Sequence, residues 1–112
     1  MFAAMAAVGT SILRFSGALS TTSGSSPVTS ATRTISGYGT LEFSSVESDG
    51  GTPGYSLNGG AWTTITEGMT LAVVNADTLA VRAALSTVGF TASFTLKKLN
   101  GGIIEGVTLE RT

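Results

Sequence analysis

Apolar and polar residues alternate with period two through most of this chain. Leu79, Val81, Ala83 and Leu85 alternate with Ala80, Arg82 and Ala84, the signature of a strand with one buried face. Phe90, Ala92, Phe94 and Leu96 form a second such stripe against Thr91, Ser93, Thr95 and Lys97. Leu41 and Phe43 form a third, opposite Glu42 and Ser44, and Met69, Leu71 and Val73 a fourth. Turn residues separate the stripes: Gly37-Tyr38-Gly39, Ser48-Asp49-Gly50-Gly51, Asn58-Gly59-Gly60, Asn75-Ala76-Asp77 and Asn100-Gly101-Gly102. The pattern predicts an all-β chain. Only the Ala-rich tip at 2–8 has helical spacing without interruption, enough for a turn or two.

Two details of register follow. Asn58-Gly59 supplies the positive-φ pair of a tight hairpin, so Tyr55 and Leu57 lead in and Trp62 leads out. In the last strand Val107 and Leu109 share parity with Glu105 and not with Ile104. A bulge at Gly106 would turn Ile104, Val107 and Leu109 all inward. The core expected from these stripes contains Trp62, Leu71, Val81, Phe94 and Leu109, with Trp62 filling the space between the sheets.

The first thirty residues read differently. Leu13 and Phe15 alternate with Ile12 and Arg14 as a first strand, followed by the Ser/Thr/Gly-rich run 20–30, a loop or linker by composition. Residues 1–8 are apolar, but no Lys or Arg precedes them and Arg14 ends the stretch early, unlike a secretory signal. The run is also too short to cross a bilayer. The chain therefore divides into an arm, first strand and loop at 1–30 and a β-sandwich at 31–112.

Composition narrows the function classes. With 112 residues there is room for one domain. Six basic residues and a net charge of −1 give no electrostatic footprint for nucleic acid. No cysteine and no histidine are present, which removes disulfides, Cys-His and Ser-His-Asp mechanisms and the commonest zinc ligand. Charged residues make up 12% of the chain. A surface hidden in an assembly explains that figure, as does a monomer clothed in Ser and Thr.

Candidate chemistry is sparse. Asp49-Gly50-Gly51 with Glu47 offers two carboxylates where a calcium loop needs more oxygen ligands, so it reads as a turn. Glu42, Glu47, Glu67, Asp77, Glu105 and Glu110 could pair for glycoside hydrolysis only by chance placement. The glycine pairs at 50–51, 59–60 and 101–102 do not open a helix and precede no Lys-Ser or Lys-Thr, so they do not read as phosphate cradles. No catalytic residue, cofactor or metal site is expected.

The run Ser56-Leu57-Asn58-Gly59-Gly60-Ala61-Trp62, then Asn75-Ala76-Asp77-Thr78-Leu79-Ala80-Val81-Arg82, then Phe90 to Leu96 and the Asn100-Gly101-Gly102 turn resembles immunoglobulin-like modules of tailed-bacteriophage virion proteins. Such modules also occur in some bacterial surface proteins. The likeness covers about residues 54–112, and Ala76 stands where those modules favour glycine. It implies an Ig-like antiparallel β-sandwich of seven to nine short strands with an extended N-terminal arm. It also implies a non-enzymatic place in the virion, assembled in the host cytoplasm, as a capsid decoration (cement) protein on the major capsid protein or sister subunits. Phe2, Met5, Val8 and Ile12 would anchor that contact, without nucleic acid or membrane. The alternatives are a phage tail or baseplate Ig-like protein, or a carbohydrate-binding or adhesin module in which Tyr38, Tyr55 and Trp62 form a face for weak contact with cell-surface glycans.

Overall fold

The computed structural model describes residues 12–112. Phe2, Met5 and Val8 lie outside them, as does the Ala-rich tip. The chain forms two β-sheets that enclose one core, an all-β sandwich. Its strands are β1 (Arg14–Phe15), β2 (Thr21–Ser23), β3 (Val28–Thr29), β4 (Arg33–Ser36), β5 (Gly39–Ser48), β6 (Pro53–Leu57), β7 (Thr63–Thr64), β8 (Thr70–Val73), β9 (Thr78–Ala83), β10 (Thr91–Lys98) and β11 (Ile103–Arg111). The first sheet runs β1-β4-β9-β6-β7 with β3 also on β9, and the second runs β2-β11-β10-β5-β8. Every pairing is antiparallel except β2 with β11.

The period-two stripes meet between the sheets. Leu79, Val81, Ala83 and Ile35 from the first sheet and Leu41, Phe43, Ala92, Phe94, Leu96, Val107 and Leu109 from the second are buried. Phe43 sits at the centre, with Tyr55 stacked on it across the sandwich at 5.7 Å and Phe94 tilted against it at 5.6 Å. Leu71, on edge strand β8, is half-buried against this cluster.

β3 and β4 form one strand interrupted by a bulge. Val28 pairs with Ala83 and Arg33 with Leu79, so residues 30–32 hold one residue more than β9 can match. Ser30 repairs the gap from both sides. Its N–H donates to Val81 O at 2.8 Å, and its hydroxyl accepts the Val81 N–H at 3.0 Å. A second bulge interrupts β5, where Ser93 pairs with Glu47 but Thr95 with Ser44. There Ser45 takes a φ of 54°, and the Glu67 carboxylate accepts the N–H groups of Ser45 at 3.2 Å and Val46 at 2.9 Å.

The boundary expected at residue 31 moves toward the N-terminus. Between residues 14 and 29 the chain enters the first sheet as β1, crosses to the second as β2 and returns as β3. Leu13, Leu19 and Val28 enter the core along this path. Residues 20–30 are therefore pinned by Leu19 and Val28, with a short parallel ladder on β11 between them. Strands of two or three residues are too short to show a period, and β2 contains no apolar residue at all.

The register of the last strand also differs from expectation. Gly106 pairs regularly with Thr95, and the irregularity falls earlier, where Leu96 pairs with Glu105 but Lys97 with Ile103. Ile104 is the extra residue and packs on the core from the bulge. Glu105 keeps its inward parity opposite buried Leu96. Its carboxylate accepts the Leu19 N–H at 2.7 Å, so the inward charge carries a hydrogen bond that helps hold the β1–β2 crossing.

The turn before β9 holds Ala76 at a φ of 77°. A side chain in the left-handed region costs about 1–2 kcal/mol, partly offset for glycine by its greater freedom when unfolded. Ala76→Gly is therefore expected to raise unfolding free energy by about 0.5–1 kcal/mol. A urea titration measures this, and a loss of stability would show that the alanine methyl packs usefully.

Candidate functional site

The segment from Tyr55 to Arg82 carries the strongest sequence signals, and it folds into two linked constructions. One is a lock between turns. The Asn58 amide donates to Asp77 Oδ1 at 3.0 Å while its Oδ1 accepts the Thr78 N–H at 2.8 Å, and its own N–H donates to Thr78 O at 2.8 Å. Asp77 Oδ2 accepts the Val74 N–H at 2.9 Å. Asn58, at a φ of 53°, thus joins the β6–β7 turn to the start of β9. The Val74 N–H and then the Asn58 amide hold the Asp77 carboxyl below its ordinary value of 3.8. A carboxyl depressed in the folded state stabilises above its unfolded value and loses that contribution as pH falls through the folded one. Acid unfolding below about pH 3.8 is therefore expected to be shallower in Asp77→Asn than in the wild type. Parallel acid limbs in pH-dependent melts would contradict it.

The other construction is a shallow groove on the outer face of the first sheet. The 58–59 turn closes with the Gly60 N–H donating to Leu57 O at 2.9 Å, a register that would set Trp62 opposite Tyr55. The ladder instead pairs Tyr55 with Thr63 and Gly54 with Thr64, so one extra residue lies between turn and strand. A one-residue shift reverses every following side chain. Thr63 takes the core-side position and Trp62 turns outward.

Trp62 is therefore half-buried outside the core, a correction to its expected place between the sheets. The Arg82 guanidinium lies 4.2 Å above its ring. Val81, Phe94 and Leu109 are buried in the core, and Leu71 borders it. The three aromatics considered as a sugar platform do not share a face. Tyr55 packs inward on Phe43, Trp62 lies on the opposite side of the same sheet, and Tyr38 is exposed in the β4–β5 loop.

The carboxylates serve the backbone. Asp49 Oδ2 accepts the Thr91 N–H at 2.9 Å, Glu67 caps the β5 bulge, Asp77 holds its turn and Glu105 takes Leu19. Four of the seven acidic residues are engaged in this way. The Ser48 hydroxyl spans the 48–51 turn to Gly51 O, so the Asp49-Gly50-Gly51 segment is a closed turn. Among the described residues no three metal-ligating side chains converge, and no helix is long and apolar enough to cross a membrane. The capping roles of Glu67 and Asn58 escaped the sequence reading, since each joins segments distant along the chain.

Ile12 stands exposed beside β1, next to Ile103 across a depression of about 540 Å³ that Phe15 and Ile104 also line. It is the one expected anchor residue within the described part of the chain.

No family model, curated protein or solved structure matches this chain.

Proposed function

We infer that this chain is a non-enzymatic structural protein of a bacteriophage virion, a capsid decoration protein with an Ig-like body that binds the major capsid lattice through its N-terminal segment. The observation that carries this reading is the apolar surface where that segment joins the sandwich. Ile12 and Ile103 are 64% and 70% exposed there, with Phe15 and Ile104 half-buried beside them. Isolated apolar residues on a surface need no explanation, but a cluster of four marks a contact. In the sequence an apolar run at 1–8 precedes Ile12, with Gly9, Thr10 and Ser11 between them. The resemblance of residues 54–112 to virion modules supports the same reading, as does the engagement of four acids in backbone hydrogen bonds.

The test deletes residues 1–11. A cut at residue 17 would remove Leu13 and β1, and with them part of the core and a sheet edge. The shorter deletion is expected to leave the melting temperature within a few degrees of the wild type and to abolish incorporation into particles. Ile103→Asp is expected to weaken incorporation without unfolding, because surface substitutions usually change stability by about 0.5 kcal/mol or less. Wild-type occupancy of the truncated protein on particles would overturn the reading.

A further inference from the structure

On the outer face of the first sheet, Arg82 of β9, Gly54 of β6 and Thr64 of β7 stand in one row, each directly paired with the next. Gly54 contributes no side chain, so the row has a notch at its middle. Trp62 and Arg82 bound the notch, Thr52 and Thr64 line it on the same outer side, and its volume is about 370 Å³. That is the scale of a site for one small ring.

Arg82 is the group that gives this notch a chemistry. Its guanidinium carbon lies 4.2 Å from the centre of the Trp62 ring, a cation–π contact that uses no hydrogen-bond acceptor. The five N–H donors of a guanidinium need acceptor atoms, which an aromatic ring does not supply. Among the described residues the Arg82 side chain donates no hydrogen bond and joins no ion pair. The ring contact thus holds a two-pronged donor in place before any ligand arrives, which lowers the ordering cost of binding.

We propose that the Trp62–Arg82 notch binds a uronic-acid residue of an acidic glycan, its carboxylate paired with the Arg82 guanidinium and its hydroxyls facing Thr52 and Thr64. A carboxylate matches the planar fork of arginine through two parallel hydrogen bonds. The lining holds a single cation, which balances a monoanion and falls short of a phosphate dianion. A protein partner would need apolar anchors around the charge. The large exposed apolar residues Ile12, Tyr38, Val74, Val88, Leu99 and Ile103 all lie off this groove, which favours a small polar ligand.

This site is independent of the assembly reading, since ligand binding is measured on the isolated chain and incorporation on particles. Trp62 is the single tryptophan, so its fluorescence reports directly on the notch. Titration with an oligogalacturonate is expected to give a saturable change that weakens as salt is raised, while the neutral oligosaccharide of the same linkage gives none. Arg82→Gln should weaken binding at least about tenfold, and Arg82→Lys should fall between, keeping the charge but losing the fork. Matched melting temperatures would confirm that both variants fold. The proposal is overturned by the absence of a saturable change, by equal binding of the neutral sugar, by unaltered affinity in Arg82→Gln, or by an Asp/Glu-rich peptide binding as tightly as the oligogalacturonate.

Discussion

Replacing Phe43 with alanine is expected to lower the unfolding free energy by about 3–5 kcal/mol, the range for a fully buried aromatic. Phe43 has no exposed surface and touches both sheets, with Tyr55 stacked from one and Phe94 tilted from its own. Its removal leaves a cavity where the sheets meet and strips two rings of their partner. Against a typical total of about 5–15 kcal/mol for a small domain, that loss approaches unfolding. Trp62→Ala is expected to cost only about 1–2 kcal/mol, because its half-buried ring loses a surface cation–π contact worth about 0.5–1 kcal/mol and part of its packing. Reversible urea melts of the two variants decide the ranking. A larger loss for Trp62 than for Phe43 would place the tryptophan in the core after all.

Gly51→Ala should destabilise by about 3 kcal/mol or more, at or above the usual limit for overpacking. A methyl at Gly51 would meet the Ala84 carbonyl oxygen at 1.9 Å, its carbon at 2.5 Å and its nitrogen at 2.9 Å. These are backbone atoms, and Ala84 lies between β9 and the fully buried Leu85, so yielding would drag a core residue outward. Gly50→Ala is the matched control. Its methyl would meet only the Phe90 ring edge, at 3.2 Å, and a half-buried ring can give way. The expected cost there is below about 1 kcal/mol. Equal melting temperatures for the two variants would show that the 49–52 loop relaxes away from Ala84. The sequence presents Gly50-Gly51 as one turn token, yet by contact only the second glycine is obligatory.

The core stripes were legible because period two survives whatever the sheets do with each other. Leu41 and Phe43, the alternate residues of β9, and Ala92, Phe94 and Leu96 all face inward as their spacing requires. The candidate site was less legible, since it depends on register. A turn closed at Gly60 and a ladder that begins at Thr63 leave one residue over, and that residue reverses Trp62. The same arithmetic operates in β11, where the extra residue is Ile104 and Gly106 stays in register. Nothing local marks either choice.

The sequence by itself determined the β class, the inward faces of the long strands, the main turns and the chemistries that a chain without His or Cys cannot perform. Side-chain alternation and turn propensity are properties of neighbouring residues, so they can be read from neighbours. Only the tertiary structure decided that residues 14–29 belong to the sandwich, that Glu67 caps a bulge more than twenty residues away, and that Glu105 receives the Leu19 N–H. It also decided that Trp62 meets Arg82 on an outer face. Each of these joins groups far apart in the chain, and an unpaired N–H or an extra residue finds its partner only once both sheets are in place.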